Sequence, residues 1–156
     1  MTTSCHWAKN TVKARKMLTS PIGVSLLAAG AMHVVRSKEQ AAVDAAGGDF
    51  TGRVDQWHMG YFDRMNMVGR RYANGAGGNC NLTSSKGVYV LTIYGAGGHT
   101  MAFARFSSRS VFFDPNFGQY SCKASLFSSF KNDIRNFLAG TYPSLQNKWY
   151  VYKVAL

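Results

Sequence analysis

The run from Gly95 to Gly118 constrains the fold more than any other part of the sequence, because it has the pattern of a β-hairpin. Residues 99–106 alternate between two faces, as the side chains of a strand do. A polar turn follows at residues 107–109, and the apolar residues 111–113 return as a second strand. Pro115 ends that strand because proline has no N–H to donate to a ladder.

His99 and Asp114 fall at the same end of this hairpin. A turn centred near Ser108 places the histidine and the carboxylate within a few residues of each other. A carboxylate beside a histidine fixes the tautomer of the imidazole and stabilises its charged form. Asp114 also precedes a proline, where aspartate commonly caps a turn, so it can serve either role or both. The pair predicts a nucleophilic site whose nucleophile lies elsewhere in the chain.

Length and composition indicate one domain over residues 1–156, since 46% of the residues are hydrophobic and can fill a core. The formal charge of +11 favours an anionic membrane or an acidic protein surface as a partner. Nucleic-acid binding is disfavoured, because the basic residues are scattered and do not alternate with aromatics. No cysteine or histidine spacing suggests a metal, and no cofactor motif is present.

Periodicity predicts helices before strands, and hence an α+β fold in which N-terminal helices pack on an antiparallel sheet. The predicted elements are a helix beginning at Cys5 or His6 and capped by Thr3 or Ser4, further helices between residues 21 and 46, a helix over 51–68, a loop over 73–86, a buried strand over 87–94, the hairpin, a helix over 121–138 and a strand over 149–154. Of the remaining histidines, His6 points to a different face of its helix from Cys5, His33 is a core residue of an apolar helix, and His58 is a surface or packing residue.

The three cysteines are the candidate nucleophiles, and their odd number fits a reducing compartment or a free reactive thiol. Cys5 is favoured because it lies at the predicted start of a helix. A helix N-terminus stabilises a thiolate and offers free N–H groups for an oxyanion hole. Cys80 lies in a loop rich in glycine and asparagine, and Cys122 opens or precedes the helix predicted over 121–138.

Two motifs resemble those of a known family. Gly-Gly-His99 before a strand, and Phe-Phe-Asp114-Pro-Asn-Phe-Gly118, are similar to the histidine and aspartate motifs of the YopT/AvrPphB-type cysteine proteases. These are papain-like effectors that bacteria secrete and that act in the host cytosol. The motif match covers about residues 87–122, and the order of elements extends it loosely to the whole chain.

The resemblance implies a papain-like fold and a host protein as substrate. It also implies Cys5 as nucleophile, His99 as general base and then acid, and Asp114 as the residue that orients His99. Papain-like enzymes usually take an oxyanion-hole Gln or Asn shortly before the cysteine, and none of the residues preceding Cys5 is of this kind. Either the chain is part of a longer protein, or the Cys5 N–H and a donor from elsewhere form the hole.

Three functions remain open at this point. The same thioester chemistry serves a protease and a deamidase or acyltransferase, and the triad does not separate them. The third function is that of a binding module whose basic surface engages an acidic protein or a membrane.

Overall fold

The computed structural model describes residues 4–5, 7–11, 54–78 and 80–155. These residues form a six-stranded antiparallel sheet with helices on its faces, which confirms the predicted α+β class. The strands are β1 Val68–Ala76, β2 Gly87–Tyr94, β3 Gly98–Arg105, β4 Arg109–Asp114, β5 Gly118–Lys123 and β6 Lys148–Ala155. The helices are an N-terminal segment (residues 4–5 and 7–11), α1 Val54–Arg64 and α2 Phe127–Thr141, with 3-10 turns at Ala124–Leu126 and Pro143–Leu145.

The strand order is β1-β6-β2-β3-β4-β5, so the last strand along the chain lies inside the sheet. β6 pairs with β1 on one side and with β2 on the other. β2 is buried at every position except Tyr94, because it is apolar on both sides and neighbours lie on both of its edges. The polar strands β1 and β5 form the two edges.

Each face of the sheet buries its own apolar cluster. The face that carries the N-terminal segment and α1, here called the N-terminal face, buries Cys5, Ala8, Phe62, Val90, Ala102, Ala104 and Tyr152 among others. The opposite face, here called the α2 face, buries Leu91, Met101, Phe103, Phe112, Ile134 and Leu138 among others. The alternation predicted for residues 99–106 is therefore confirmed in β3.

The predicted hairpin and the other two predicted strands are confirmed. β3 and β4 pair in antiparallel register from Arg105↔Ser110 to Ala102↔Phe113. The strands predicted over 87–94 and 149–154 correspond to β2 and β6. Ser4 is itself helical, so it does not cap the N-terminal segment from outside. The helices predicted between residues 21 and 46 lie outside the described residues.

The helix predicted over 51–68 is wrong at its C-terminal end. α1 ends at Arg64, Asn66 adopts a left-handed φ of 51°, and the chain continues as β1. Val68, the last residue of the predicted helix, instead begins β1 and is 68% exposed. The loop predicted over 73–86 is wrong at its start, because residues 73–76 belong to β1. An edge strand with exposed arginine, asparagine and glycine lacks the apolar alternation that identifies a strand.

The helix predicted over 121–138 also begins too early. Residues 121–123 complete the edge strand β5, a 3-10 turn follows, and α2 runs from Phe127 to Thr141. Cys122 therefore lies in a strand and not at a helix start. In the part of the chain that is described, no helix is long and apolar enough to cross a membrane.

Candidate active site

A glycine turn sets the position of His99. The turn between β2 and β3 closes with a 2.9 Å hydrogen bond from the Gly95 N–H to the Gly97 carbonyl. A Cβ on Gly95 would collide with the backbone of Ser144, so only glycine permits this close approach. His99 is the second residue of β3 and lies beyond Ala102, where the ladder between β3 and β4 stops.

Asp114 is the last residue of β4, and its side chain is completely buried. Its Oδ1 accepts a 2.8 Å hydrogen bond from the Asn116 backbone N–H, which holds the turn between β4 and β5. Its Oδ2 lies 3.1 Å from His99 Nε2 and accepts a 3.0 Å hydrogen bond from the Tyr142 hydroxyl. Asp114 therefore holds the turn with one oxygen and contacts the imidazole with the other.

The surroundings of Asp114 keep it ionised. Burial raises the pKa of this carboxyl, but the hydrogen bond and charge of His99 lower it, as do the Asn116 N–H and the Tyr142 hydroxyl. The net pKa lies below the ordinary value. An ionised carboxylate only accepts, so a neutral His99 donates from Nε2 and carries its free lone pair on Nδ1. Nδ1 is then the atom available for proton transfer.

Tyr142 is a part of this site that the sequence analysis did not identify. Its ring stacks on the His99 imidazole with centroids 4.4 Å apart and planes 29° apart. Its hydroxyl also accepts a 3.2 Å hydrogen bond from Asn116 Nδ2. Tyr142 follows α2 at a position 28 residues from Asp114, and no local pattern links the two.

Contacts from both sides of Cys5 attach the N-terminal segment to the same end of the hairpin. Ser4 Oγ donates a 2.6 Å hydrogen bond to the carbonyl of Thr100, the residue after His99. Trp7 stacks on Phe113, the residue before Asp114, with ring centroids 5.6 Å apart. Trp7 Nε1 also donates a 2.9 Å hydrogen bond to Gln119 Oε1. Cys5 itself is completely buried.

Cys5 and the His99–Asp114 pair approach this end of the sheet from different faces. Cys5 packs in the cluster of the N-terminal face with Ala102 and Ala104. His99 stacks on Tyr142, which packs against the cluster of the α2 face. For the Cys5 thiol to contact His99 Nδ1, the two side chains would have to meet at the end of β3, beyond Ala102, the last residue there that pairs with β4.

The two other thiols are poorly suited to act with His99. Burial raises the pKa of Cys80 to about 12, against a smaller opposing effect of Arg135, so Cys80 stays protonated near neutral pH. Cys122 pairs with Ser110, four positions along β5 from Gly118, which pairs with Asp114. At roughly 3.3 Å per residue it lies about 13 Å along the strand from that end.

His58 is a packing residue, as predicted. Its Nε2 lies 2.9 Å from Thr92 Oγ1, and its ring stacks on Tyr152 with centroids 4.4 Å apart. Among the residues that the structure describes, no three His, Cys, Asp or Glu side chains are grouped to hold a metal ion.

A known family model matches the part of the chain that contains His99 and Asp114. Residues 78–153 match the peptidase family model described as Yersinia/Haemophilus virulence surface antigen. This is the YopT/AvrPphB-type family, so the resemblance predicted from the His99 and Asp114 motifs is confirmed over these residues. The matched residues include Tyr142, and Cys5 lies outside them.

The chain is also similar to one solved structure, over part of its length. The crystal structure of the Pseudomonas avirulence protein AvrPphB is similar to this chain with a TM-score of 0.48 and 14% sequence identity. The similarity covers 60% of this chain and 56% of that one, so the chain spans little more than half of that protein. No curated protein matches the chain.

Proposed function

We propose that this chain is a papain-like cysteine protease domain of the bacterial effector type, in which Cys5, His99 and Asp114 act together. The proposal is carried by the contacts of the N-terminal segment. Ser4 binds the residue after His99, and Trp7 packs on the residue before Asp114. The family match supports the class of reaction, and the high pKa of Cys80 disfavours that thiol as the nucleophile.

The chemistry follows from the orientation of the imidazole. Asp114 holds Nε2, so Nδ1 accepts the proton of the Cys5 thiol as sulfur attacks the substrate carbonyl carbon. Nδ1 then gives this proton to the leaving amine, and a thioester links the acyl group to Cys5. Water loses a proton to Nδ1 as it attacks the thioester, which releases the acid and restores the thiol.

The substrate in this proposal is a host protein, and the site of action is the host cytosol after bacterial secretion. Both follow from the effector family that residues 78–153 match. The charge of +11 favours a substrate or docking surface that is acidic, or an anionic membrane. Nucleic acid is not proposed as a partner.

A thiol-directed activity probe tests the proposal. The 156-residue chain is treated with an electrophilic probe that reacts faster with a catalytic thiolate than with an ordinary thiol. We expect labelling at Cys5 that is lost in Cys5→Ala and in His99→Ala, and retained in Cys122→Ala as the matched control. Undiminished labelling of Cys5 in His99→Ala would show that the histidine does not activate this thiol.

Treatment of a host-protein mixture separates the reactions that share the triad. Mass spectrometry that finds new chain termini, absent with Cys5→Ala, supports proteolysis. Glutamine converted to glutamate, or a transferred acyl group, without new termini would replace the protease with a deamidase or acyltransferase. A crystal structure checks the geometry, because sulfur within about 4 Å of Nδ1 is expected for an enzyme without substrate.

A further inference from the structure

We propose that Tyr142 is a positioning residue of this site, which fixes the imidazole of His99 and the carboxylate of Asp114 with one side chain. The inference rests on the proposed function insofar as it concerns catalysis. Its physical content, the orientation of the pair, can be measured without any substrate.

The hydroxyl of Tyr142 stands in a directional chain of hydrogen bonds. Asn116 Nδ2 donates to the hydroxyl over 3.2 Å, and the hydroxyl donates to Asp114 Oδ2 over 3.0 Å. The same Oδ2 accepts from His99 Nε2 over 3.1 Å. Tyr142 therefore fixes the position of the Asp114 oxygen to which the imidazole is hydrogen-bonded.

The ring of Tyr142 restrains the imidazole directly. The two rings lie with centroids 4.4 Å apart and planes 29° apart, and the His99 side chain is 11% exposed. If the imidazole rotated out of its present plane, it would lose both the stack on Tyr142 and the hydrogen bond from Nε2 to Asp114. The stack fixes the plane of the ring and the hydrogen bond to Asp114 fixes which nitrogen faces the carboxylate, so together they leave Nδ1 for proton transfer.

The backbone that carries Tyr142 is attached to the turn that carries His99. The Ala96 N–H donates to the Ser144 carbonyl over 2.9 Å, and the Asn147 N–H donates to the Tyr94 carbonyl over 2.9 Å. The close approach of Gly95 to Ser144 belongs to the same contact. Tyr142 is therefore held in register with His99 by contacts that do not involve Asp114.

Ordinary packing explains the ring of Tyr142 but leaves its hydroxyl unexplained. The ring lies in an aromatic cluster with Phe117 and Phe137, at centroid distances of 6.3 Å to each. A phenylalanine would satisfy these contacts equally well. The hydroxyl donates to the buried carboxylate of Asp114, which also accepts from His99 and from the Asn116 N–H. A direct hydrogen bond to this carboxylate is what a positioning role requires.

Tyr142→Phe isolates this hydroxyl, and Tyr120→Phe is the matched control. Tyr120 lies in the same aromatic cluster, but its hydroxyl donates to the Phe117 carbonyl and touches neither member of the pair. In Tyr142→Phe we expect kcat to fall by about 10- to 100-fold, with a much smaller change in KM. The acidic limb of the pH profile should move to higher pH, because Asp114 loses a donor that lowers its pKa. Tyr120→Phe should leave kcat, KM and the acidic limb of the pH profile unchanged.

A second measurement keeps the inference separate from the proposed function. The titration of the Asp114 carboxyl carbon is followed by NMR in wild type and both variants. The groups that contact this carboxylate are His99 on β3, the Asn116 N–H in the turn and Tyr142 after α2.

A midpoint that rises in Tyr142→Phe and stays in Tyr120→Phe supports the positioning role, even if the wild type cleaves no protein and the proposed function fails. An unchanged midpoint together with an unchanged pH profile would overturn the positioning role while leaving the protease intact.

Discussion

Trp7 stacks on Phe113 with ring planes only 4° apart, which attaches the N-terminal segment to the strand that ends in Asp114. The indole N–H of Trp7 adds a hydrogen bond to Gln119 on the neighbouring strand β5. Residues more than 100 positions apart in the sequence therefore meet beside the candidate site.

Replacement of Trp7 should loosen this attachment. Trp7→Ala removes both the stack and the hydrogen bond, and the free energy of unfolding should fall by about 2 kcal/mol, as expected for losing a partly buried aromatic. Gln119→Ala removes only the acceptor and should cost about 1 kcal/mol or less. Urea unfolding measures both, and equal losses in the two variants would show that the stack contributes nothing.

Asp114 should make stability depend on pH. Its folded pKa lies below the ordinary value of about 4, so its contribution is present above that pH and lost as pH falls through the folded pKa. Wild type should exceed Asp114→Asn in stability at pH 7, and the gap should close toward pH 2. A gap of constant size from pH 7 to pH 2 would contradict the lowered pKa.

The asparagine variant is informative for a geometric reason. Three donors converge on Asp114, namely the Asn116 N–H, His99 Nε2 and the Tyr142 hydroxyl. An amide has one acceptor oxygen, so its NH₂ group faces either the Asn116 N–H, which cannot accept, or His99 Nε2 and the Tyr142 hydroxyl, which must then switch from donating to accepting. Asp133→Asn on the exposed side of α2 makes the same chemical change without these partners and serves as the control.

The cysteines should differ in reactivity. With a pKa of about 12, Cys80 has a thiolate fraction of only about one in ten thousand at pH 8, whereas Cys122 is half-buried at an edge strand. In a Cys5→Ala background, iodoacetamide should modify Cys122 first and reach Cys80 only on unfolding. Peptide mapping over time measures this order, and equal rates in the native protein would contradict the burial of Cys80.

The sequence predicted the hairpin because its evidence is local. Alternation along residues 99–106 and the stop at Pro115 depend only on neighbouring residues, and they bring His99 to Asp114 without further knowledge of the fold. The edge strands β1 and β5 escaped prediction because exposed polar side chains give no alternation. Tyr142 was not predicted because no local pattern marks it. It reaches the site only because the segment after α2 docks on the glycine turn.

The inner position of β6 has a consequence for how the protein reaches this state. Until Lys148–Ala155 leaves the ribosome, β2 has no neighbour on one side, and its apolar length is an open edge that invites pairing with other chains. β6 is the last of the six strands to be synthesised, just after the segment that carries Tyr142, and the sheet is complete only when β6 inserts between β1 and β2. During synthesis the incomplete chain therefore presents an unpaired apolar strand edge that can pair with other chains.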